Sequence, residues 1–269
     1  MIIESIHNPK VKYVKSLGRS RTRKKEKKFI VDGFHLVNEA INTWTAQKKF
    51  PIDFILYTPK VWGTKEGRNI VKEAEKFDIS CLKVKENIMA KISEVEAPQG
   101  ILAIVSEEEF TIEEISKPEA LIVFCVDVQD PGNLGTIIRT VDAVGGNGVI
   151  LNKGTVDLYN QKVLRSTMGS VFHLPIVHVE DVKETLKVLK QNKAKIIATM
   201  PQSKESHYDV GYDGFVVILV GNEAKGLPKD IISFSDLSVK IPMPGKAESL
   251  NTAVSTAVIL YEAYRKRSS

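Results

Sequence analysis

Along the chain, short continuous apolar runs alternate with stretches in which apolar residues recur every three or four positions. The first pattern predicts strands and the second amphipathic helices. Phe29–Val31, Ile52–Tyr57, Cys81–Val84 and Ile101–Val105 are the early strand candidates. Helical patterns lie between them over Phe34–Thr45, Lys65–Phe77 and Glu86–Val95; in the second, Ile70, Val71, Ala74 and Phe77 share one face. Ser106–Pro118 breaks the rhythm, with Glu107, Glu108, Glu109, Glu113 and Glu114 clustered before Pro118, and is read as a linker with room for one short helix. Beyond it, Leu121–Asp127, Gly148–Leu151, Lys195–Thr199, Phe215–Val220 and Leu237–Ile241 are predominantly apolar runs. Strands buried on both faces of a parallel sheet read this way. Two α/β domains are therefore expected, residues 1–105 and 119–269, joined by 106–118. Ligands in parallel sheets bind beyond the carboxyl ends of strands, which directs attention to the loops after Asp127, Thr199, Val220 and Ile241.

Composition narrows the class. The 269 residues are 43% hydrophobic and 26% charged, as in ordinary globular proteins. No apolar run is long enough for a membrane span, and the first residues lack a signal-peptide core. Cys81 and Cys125 lie far apart inside apolar runs and read as buried thiols of a cytoplasmic protein. Five histidines, His7, His35, His173, His178 and His207, are scattered without metal-ligand spacing, so no metal is expected. The net charge of +5 is unevenly placed: ten of the first 28 residues are basic and two acidic, so the rest of the chain is net negative. This basic arm, with Arg19, Arg21, Arg23, Lys24 and Lys25 at its centre, suits a phosphate backbone; a solubilising tail is the alternative.

Three loops carry possible chemistry. The first, Asp127 to Arg139, leaves a strand and enters a helix that Asp130 can cap and Pro131 can begin. Leu134, Ile137, Ile138 and Val141 form its apolar stripe, and Arg139 lies well off that stripe, free to meet solvent or an anion. Asn133 is a turn residue or a functional amide. The second loop is Gly221-Asn-Glu-Ala-Lys-Gly226; its glycines have P-loop spacing, but Leu227-Pro228 stands where Lys-Ser/Thr is required. Glu223 is either a helix-start acid or a functional carboxylate. The third runs from Ile241 to Asn251 into a helix with an apolar stripe of Leu250, Ala253, Val254, Ala257, Val258 and Tyr261. Ser249 is placed to cap this helix, which leaves Asn251, a poor helix former, inside its first turn.

Together, Asn133 with Arg139, Gly221–Gly226 and Ser249-Leu-Asn251 resemble the three motifs of the SpoU/TrmH class of RNA ribose 2′-O-methyltransferases in the SPOUT superfamily. The resemblance covers about residues 120–265 and shows no departure in these loops. Asn8-Pro9-Lys10, the basic run, Phe29-Ile-Val-Asp-Gly33 and Pro98–Val105 are similar to the substrate-binding domain that often precedes such a catalytic domain, with a fold like ribosomal protein L30e. Asp32 stands where a glutamate is commoner.

The resemblance implies an N-terminal L30e-like domain and a C-terminal SPOUT domain with a parallel sheet and a trefoil knot, a topology that periodicity does not reveal. It implies that S-adenosylmethionine is held by Thr199, Met200, Gly221, Asn222, Gly226, Ile241, Met243, Ser249, Leu250 and Asn251. Arg139 would act at the ribose hydroxyl as base or activator, with Asn133, Glu223, Ser249 and Asn251 positioning the reactants, and Arg165 would hold a phosphate. It also implies a homodimer, for which the last helix, ending near Tyr264, offers a contact face. Ribosomal RNA, and 23S RNA in particular, is the favoured substrate; tRNA, or a non-catalytic assembly factor of the same fold, is the alternative. A Ser-His-Asp hydrolase is disfavoured by the missing GxSxG elbow.

Overall fold

The structure, a computed structural model, describes residues 2–95 and 97–268. The chain divides into two compact units, Met1–Glu108 with Asp157–Phe172, and Glu109–Val156 with His173–Ser269.

In the first unit, strands Ile2–Ile3 (β1), Lys28–Asp32 (β2), Ile52–Tyr57 (β3), Cys81–Val84 (β4) and Ile101–Ser106 (β5) form a mixed sheet in the order β1-β4-β3-β5-β2. β5 runs antiparallel to β2 and β3, while β1 and β3 run parallel to β4. The basic amino-terminal arm is not a tail. Asn8 caps a helix over Pro9–Leu17, accepting from the Lys10 amide at 2.9 Å. Val11, Val14 and Leu17 of this helix are buried with Ile30, Phe54, Leu56 and Leu102 on one sheet face. A second helix, Ser20–Glu26, carries the basic run. Arg19, Arg21, Lys24 and Lys25 are exposed there, but Arg23 is only 6% exposed. Its guanidinium donates to the Leu17 and Gly18 carbonyls, both at 2.9 Å, and to the Asp157 carboxylate at 2.6 Å. Arg23 is thus a structural arginine rather than a surface contact, because it satisfies the carbonyls that the Pro9–Leu17 helix leaves open at its end.

The partner of Arg23 lies in the segment Asp157–Phe172, which contains the helix Gln161–Thr167. Tyr159 stacks on Phe29 with ring centroids 4.2 Å apart, and the Gln161 amide donates to the Ile30 carbonyl at 2.7 Å.

The second unit is built on seven strands among the described residues: Leu121–Cys125 (β6), Gly148–Asn152 (β7), Ile176–Val179 (β8), Lys195–Thr199 (β9), Glu205–Ser206 (β10), Val216–Val220 (β11) and Leu237–Lys240 (β12). Their order is β10-β12-β9-β11-β6-β7-β8, and every pairing is parallel. β6 and β11 are buried at every residue, the signature of central strands covered on both faces. Thr111 and Glu114 form a capping box on the short helix Ile112–Ile115 within the acidic stretch. β12, β9, β11 and β6 are neighbours, so the loops that follow them open at one sheet edge.

Candidate active site

The loop after β6 enters the helix Pro131–Ala143 through Asp130, whose carboxylate accepts from the Asn133 amide at 2.8 Å. Pro131 occupies the first turn, where no backbone donor is needed. Leu134, Ile137, Ile138 and Val141 are buried, as their spacing predicts. Asn133, 8% exposed, belongs to this helix and not to a turn. Arg139 is exposed on the opposite side and makes no hydrogen bond or ion pair among the described residues.

The loop after β11 folds back on itself, with the Gly226 amide donating to the Asn222 carbonyl at 2.9 Å. Only glycine fits at Gly221, because a side chain there would overlap the Gly226 backbone. The Asn222 carboxamide accepts from the Ala224 and Lys225 amides, and its nitrogen donates to the Asp127 carbonyl at 2.9 Å. Glu223 reaches the first loop. Its carboxylate accepts from the backbone amides of Asp130 (3.0 Å) and Gln129 (3.1 Å) and from the Asn133 side chain (3.0 Å). Burial pushes the Glu223 carboxyl up, but these donors outweigh it and hold its pKa below the ordinary value.

The loop after β12 ends at Asn251, not Ser249, as the cap of the final helix Thr252–Arg267. The Asn251 side-chain oxygen accepts from the Ala253 and Val254 amides at 2.9 and 3.2 Å. Ser249 is exposed and lies outside the cap. The expectation fails by two residues because both are capping types; Asn251 sits where the first free amides point, which also removes the oddity of an asparagine inside the first turn. The Asn251 nitrogen donates to the Asn133 oxygen at 2.9 Å. Asn251, Asn133 and Glu223 therefore form one hydrogen-bonded chain across all three loops.

The loops line a cavity of about 800 Å³. Thr199, Met200, Gly221, Asn222, Gly226, Ile241, Met243, Ser249 and Leu250 all contribute to it. Asn251 does not, although its neighbour Thr252 does. Gln202, Thr252 and Ser255 also line it and lie outside the loop residues that the sequence points to. Thr252 and Ser255, three apart in a first helical turn, are the signal that could have found the helical wall. Arg165 is not among these residues; it is exposed in the first unit, with Asp32 in its electrostatic reach.

The predicted apolar stripe of the last helix is only partly the face the fold buries: Ala253 is buried and Ala257 and Val258 are half-buried. Ala253, Thr256, Ile259, Leu260 and Ala263 are buried, while Val254, Tyr261 and Tyr264 are exposed. Thr256 tolerates burial because its hydroxyl donates to the Thr252 carbonyl at 2.8 Å. His173 pairs with Asp142 at 2.9 Å. Among the described residues, no three His, Cys, Asp or Glu side chains gather as a metal site, and no helix is long and apolar enough to cross a membrane. Both cysteines are free; burial pushes the Cys81 thiol up to about 12 and the Cys125 thiol higher still.

The chain is similar to known proteins in sequence and in fold. A model of the SpoU rRNA Methylase family matches residues 120–261, and one of the MRM3-like substrate binding domain matches residues 8–103. The chain is 34% identical to the 23S rRNA (guanosine(2553)-2′-O)-methyltransferase RlmP of Bacillus subtilis, covering 96% of this chain and 97% of that protein. The AdoMet-bound rRNA methyltransferase of Sinorhizobium meliloti superposes with a TM-score of 0.85 at 30% identity, over 98% of this chain and 97% of that one. The SpoU methyltransferase AviRb of Streptomyces viridochromogenes, in complex with AdoMet, gives 0.86 at 27% identity, over 98% and 99%. The chain belongs to the SpoU rRNA methylase family.

Proposed function

We propose that the protein methylates a ribose 2′-hydroxyl of 23S ribosomal RNA, using S-adenosylmethionine as the methyl donor. The observation that carries this reading is the hydrogen-bonded chain of Asn251, Asn133 and Glu223 beside the cavity, with the unpaired Arg139 on the Asn133 helix. The cavity fits the donor: Met200, Ile241, Met243 and Leu250 supply apolar wall, while Asn222, Gly226, Thr252 and Ser255 supply polar groups. When bound, S-adenosylmethionine supplies an electrophilic methyl on a sulfonium that departs as a neutral thioether, so no acid is needed for the leaving group. The residues must then align the ribose oxygen and assist loss of its proton; alignment alone supplies several kcal/mol. Arg139 acts at the hydroxyl, as its base or through the neighbouring phosphate. A guanidinium is a poor base, which favours the second route. Glu223, Asn133, Ser249 and Asn251 position the reactants.

Residues 1–105 serve as the substrate-binding domain, joined through 106–118 to the catalytic domain 119–269, whose segment Asp157–Phe172 belongs to the first compact unit. Arg19, which precedes the Ser20–Glu26 helix, and Arg21, Lys24 and Lys25 on it, together with Arg165, contact RNA phosphates; Arg23 has no part in this. The enzyme works in the cytoplasm as a homodimer. Exposed Val254, Tyr261 and Tyr264 support a contact face on the last helix. A trefoil knot is supported by the path of the chain, which leaves β12 beyond β9 and returns to pack its last helix on Pro131–Ala143, the helix that follows β6.

The test is incubation of the purified chain with methyl-labelled S-adenosylmethionine and unmodified RNA, separated into ribosomal and transfer fractions, followed by nucleoside mass analysis. A labelled 2′-O-methylnucleoside in ribosomal RNA is expected. Label on a base would overturn the ribose reaction, and label confined to tRNA would overturn the substrate.

A further inference from the structure

We infer that Asp127 and Asn152 form a reciprocal clasp that sets the catalytic loop, and that they are positioning residues for methyl transfer; this rests on the reaction proposed above. Asp127, between β6 and the loop, has φ +56°. Side chains rarely adopt this left-handed region, and aspartate and asparagine enter it more readily than most. The chain turns there so that the amides of Gln129 and Asp130 face Glu223.

Two contacts hold the turn from the β7 side. The Asp127 amide donates to the Asn152 side-chain oxygen at 2.9 Å, and the Asn152 nitrogen donates back to the Asp127 carboxylate at 2.8 Å. Thr155 fixes the Asn152 carboxamide by donating to its oxygen at 2.8 Å. Gly154 completes the fit, because any Cβ there would overlap the Asp127 carboxylate. Its carbonyl accepts from the Gln129 side chain, and the Val156 amide donates to the Val128 carbonyl at 2.9 Å. From the β11 side, Asn222 donates to the Asp127 carbonyl at 2.9 Å. The loop that carries Gln129 and Asp130 is thus gripped on both flanks. Without the β7 grip, nothing on that side compels the left-handed turn, and the two amides aimed at Glu223 lose their direction. None of Asp127, Asn152 and Gly154 lines the cavity, so their influence runs through Glu223 and Asn133.

The clasp can be broken and rebuilt by exchange. Asn152→Asp alone sets two carboxylates face to face and removes the donor to Asp127. Combining it with Asp127→Asn restores every donor and acceptor with the roles reversed, and asparagine tolerates the left-handed turn. We expect Asn152→Asp to lower kcat at least tenfold on ribosomal RNA while KM for S-adenosylmethionine stays within threefold. Amide exchange in a peptide covering 127–133 should quicken at least tenfold. The exchanged pair should recover both readouts to within threefold of the parent. An Asn152→Asp enzyme with unchanged kcat and unchanged exchange would overturn the inference. So would a double variant no better than the single one, since a general packing defect would not be repaired by swapping the two groups. Should the parent chain methylate no RNA, the reaction itself is refuted, and the exchange measurement still decides whether the clasp holds the loop.

Discussion

Arg23 decides between two readings of the basic amino-terminal segment, and its removal has a calculable consequence. Arg23→Ala deletes three charge-assisted bonds at once, to the Leu17 and Gly18 carbonyls and to Asp157. The two side chains are 7% and 23% exposed, so the guanidinium is buried while its partner retains some access to water. Removing one member of a buried pair costs about 3–5 kcal/mol. The partial exposure of Asp157 brings the expectation to the lower end, about 3 kcal/mol. For a unit of this size that corresponds to a fall in Tm on the order of 10 °C. The pH dependence has a definite sign. Burial pushes the Asp157 carboxyl up, but Arg23, Ser20 and the Tyr159 amide outweigh it and hold its pKa below the ordinary value. The stabilisation is therefore complete above the usual carboxylate range near pH 4 and is lost as pH falls through the lower folded value. The Tm difference between parent and variant should be full at pH 7 and shrink towards pH 3. Calorimetry across that range, beside RNA binding at two salt concentrations, measures both. A variant with unchanged Tm and weakened RNA binding would refute the structural assignment of Arg23 and return it to the RNA-contacting set.

Arg139→Ala should reduce methyl transfer by at least a hundredfold while the Kd for S-adenosylmethionine, read by calorimetry, stays within twofold; an active variant would remove Arg139 from the reaction. Replacing Arg21, Lys24 and Lys25 together with glutamine should lower the slope of log K against log salt for RNA binding by about two, with Tm unchanged because all three are exposed. Asn251→Asp should keep the helix cap and the Tm yet lower kcat at least tenfold, whereas Ser249→Ala should leave Tm unaltered; a Tm loss in the serine variant would contradict the cap at Asn251.

Much of the second unit is legible because its strands are covered on both faces, so β6, β9 and β11 stand out as unbroken apolar runs between helical patterns. Asp130 and Pro131 announce their helix through local chemistry alone. The amino-terminal helices are harder to see. Val11, Val14 and Leu17 recur at helical spacing, but lysines and arginines surround them and the segment reads as a charged arm. Nothing local distinguishes Arg23 from Arg21 or Lys24. The distinguishing group is Asp157, 134 residues further on, and only tertiary structure brings it there. The last helix misleads for a related reason. Hydropathy assigns its inner face to Val254, Val258 and Tyr261, yet the fold turns Thr256, Ile259 and Leu260 inward, since a threonine that bonds its own helix can be buried at little cost.

At the site, sequence reasoning poses alternatives that the geometry does not separate. Glu223 is weighed there as either a helix-start acid or a functional group, but one carboxylate takes the Asp130 and Gln129 amides and the Asn133 side chain together. Asn251 likewise caps a helix with its oxygen and holds Asn133 with its nitrogen. An alanine at either place therefore confounds stability with positioning. Asn251→Asp separates them, because a carboxylate still accepts from the Ala253 and Val254 amides but donates nothing. Asn133 then faces an acceptor on each side. If its amide keeps its present orientation, its oxygen opposes the new carboxylate. If the amide turns over, its oxygen opposes Glu223 instead. Either orientation leaves one acid without a donor from Asn133, so the chain across the three loops breaks while the helix it ends on remains capped.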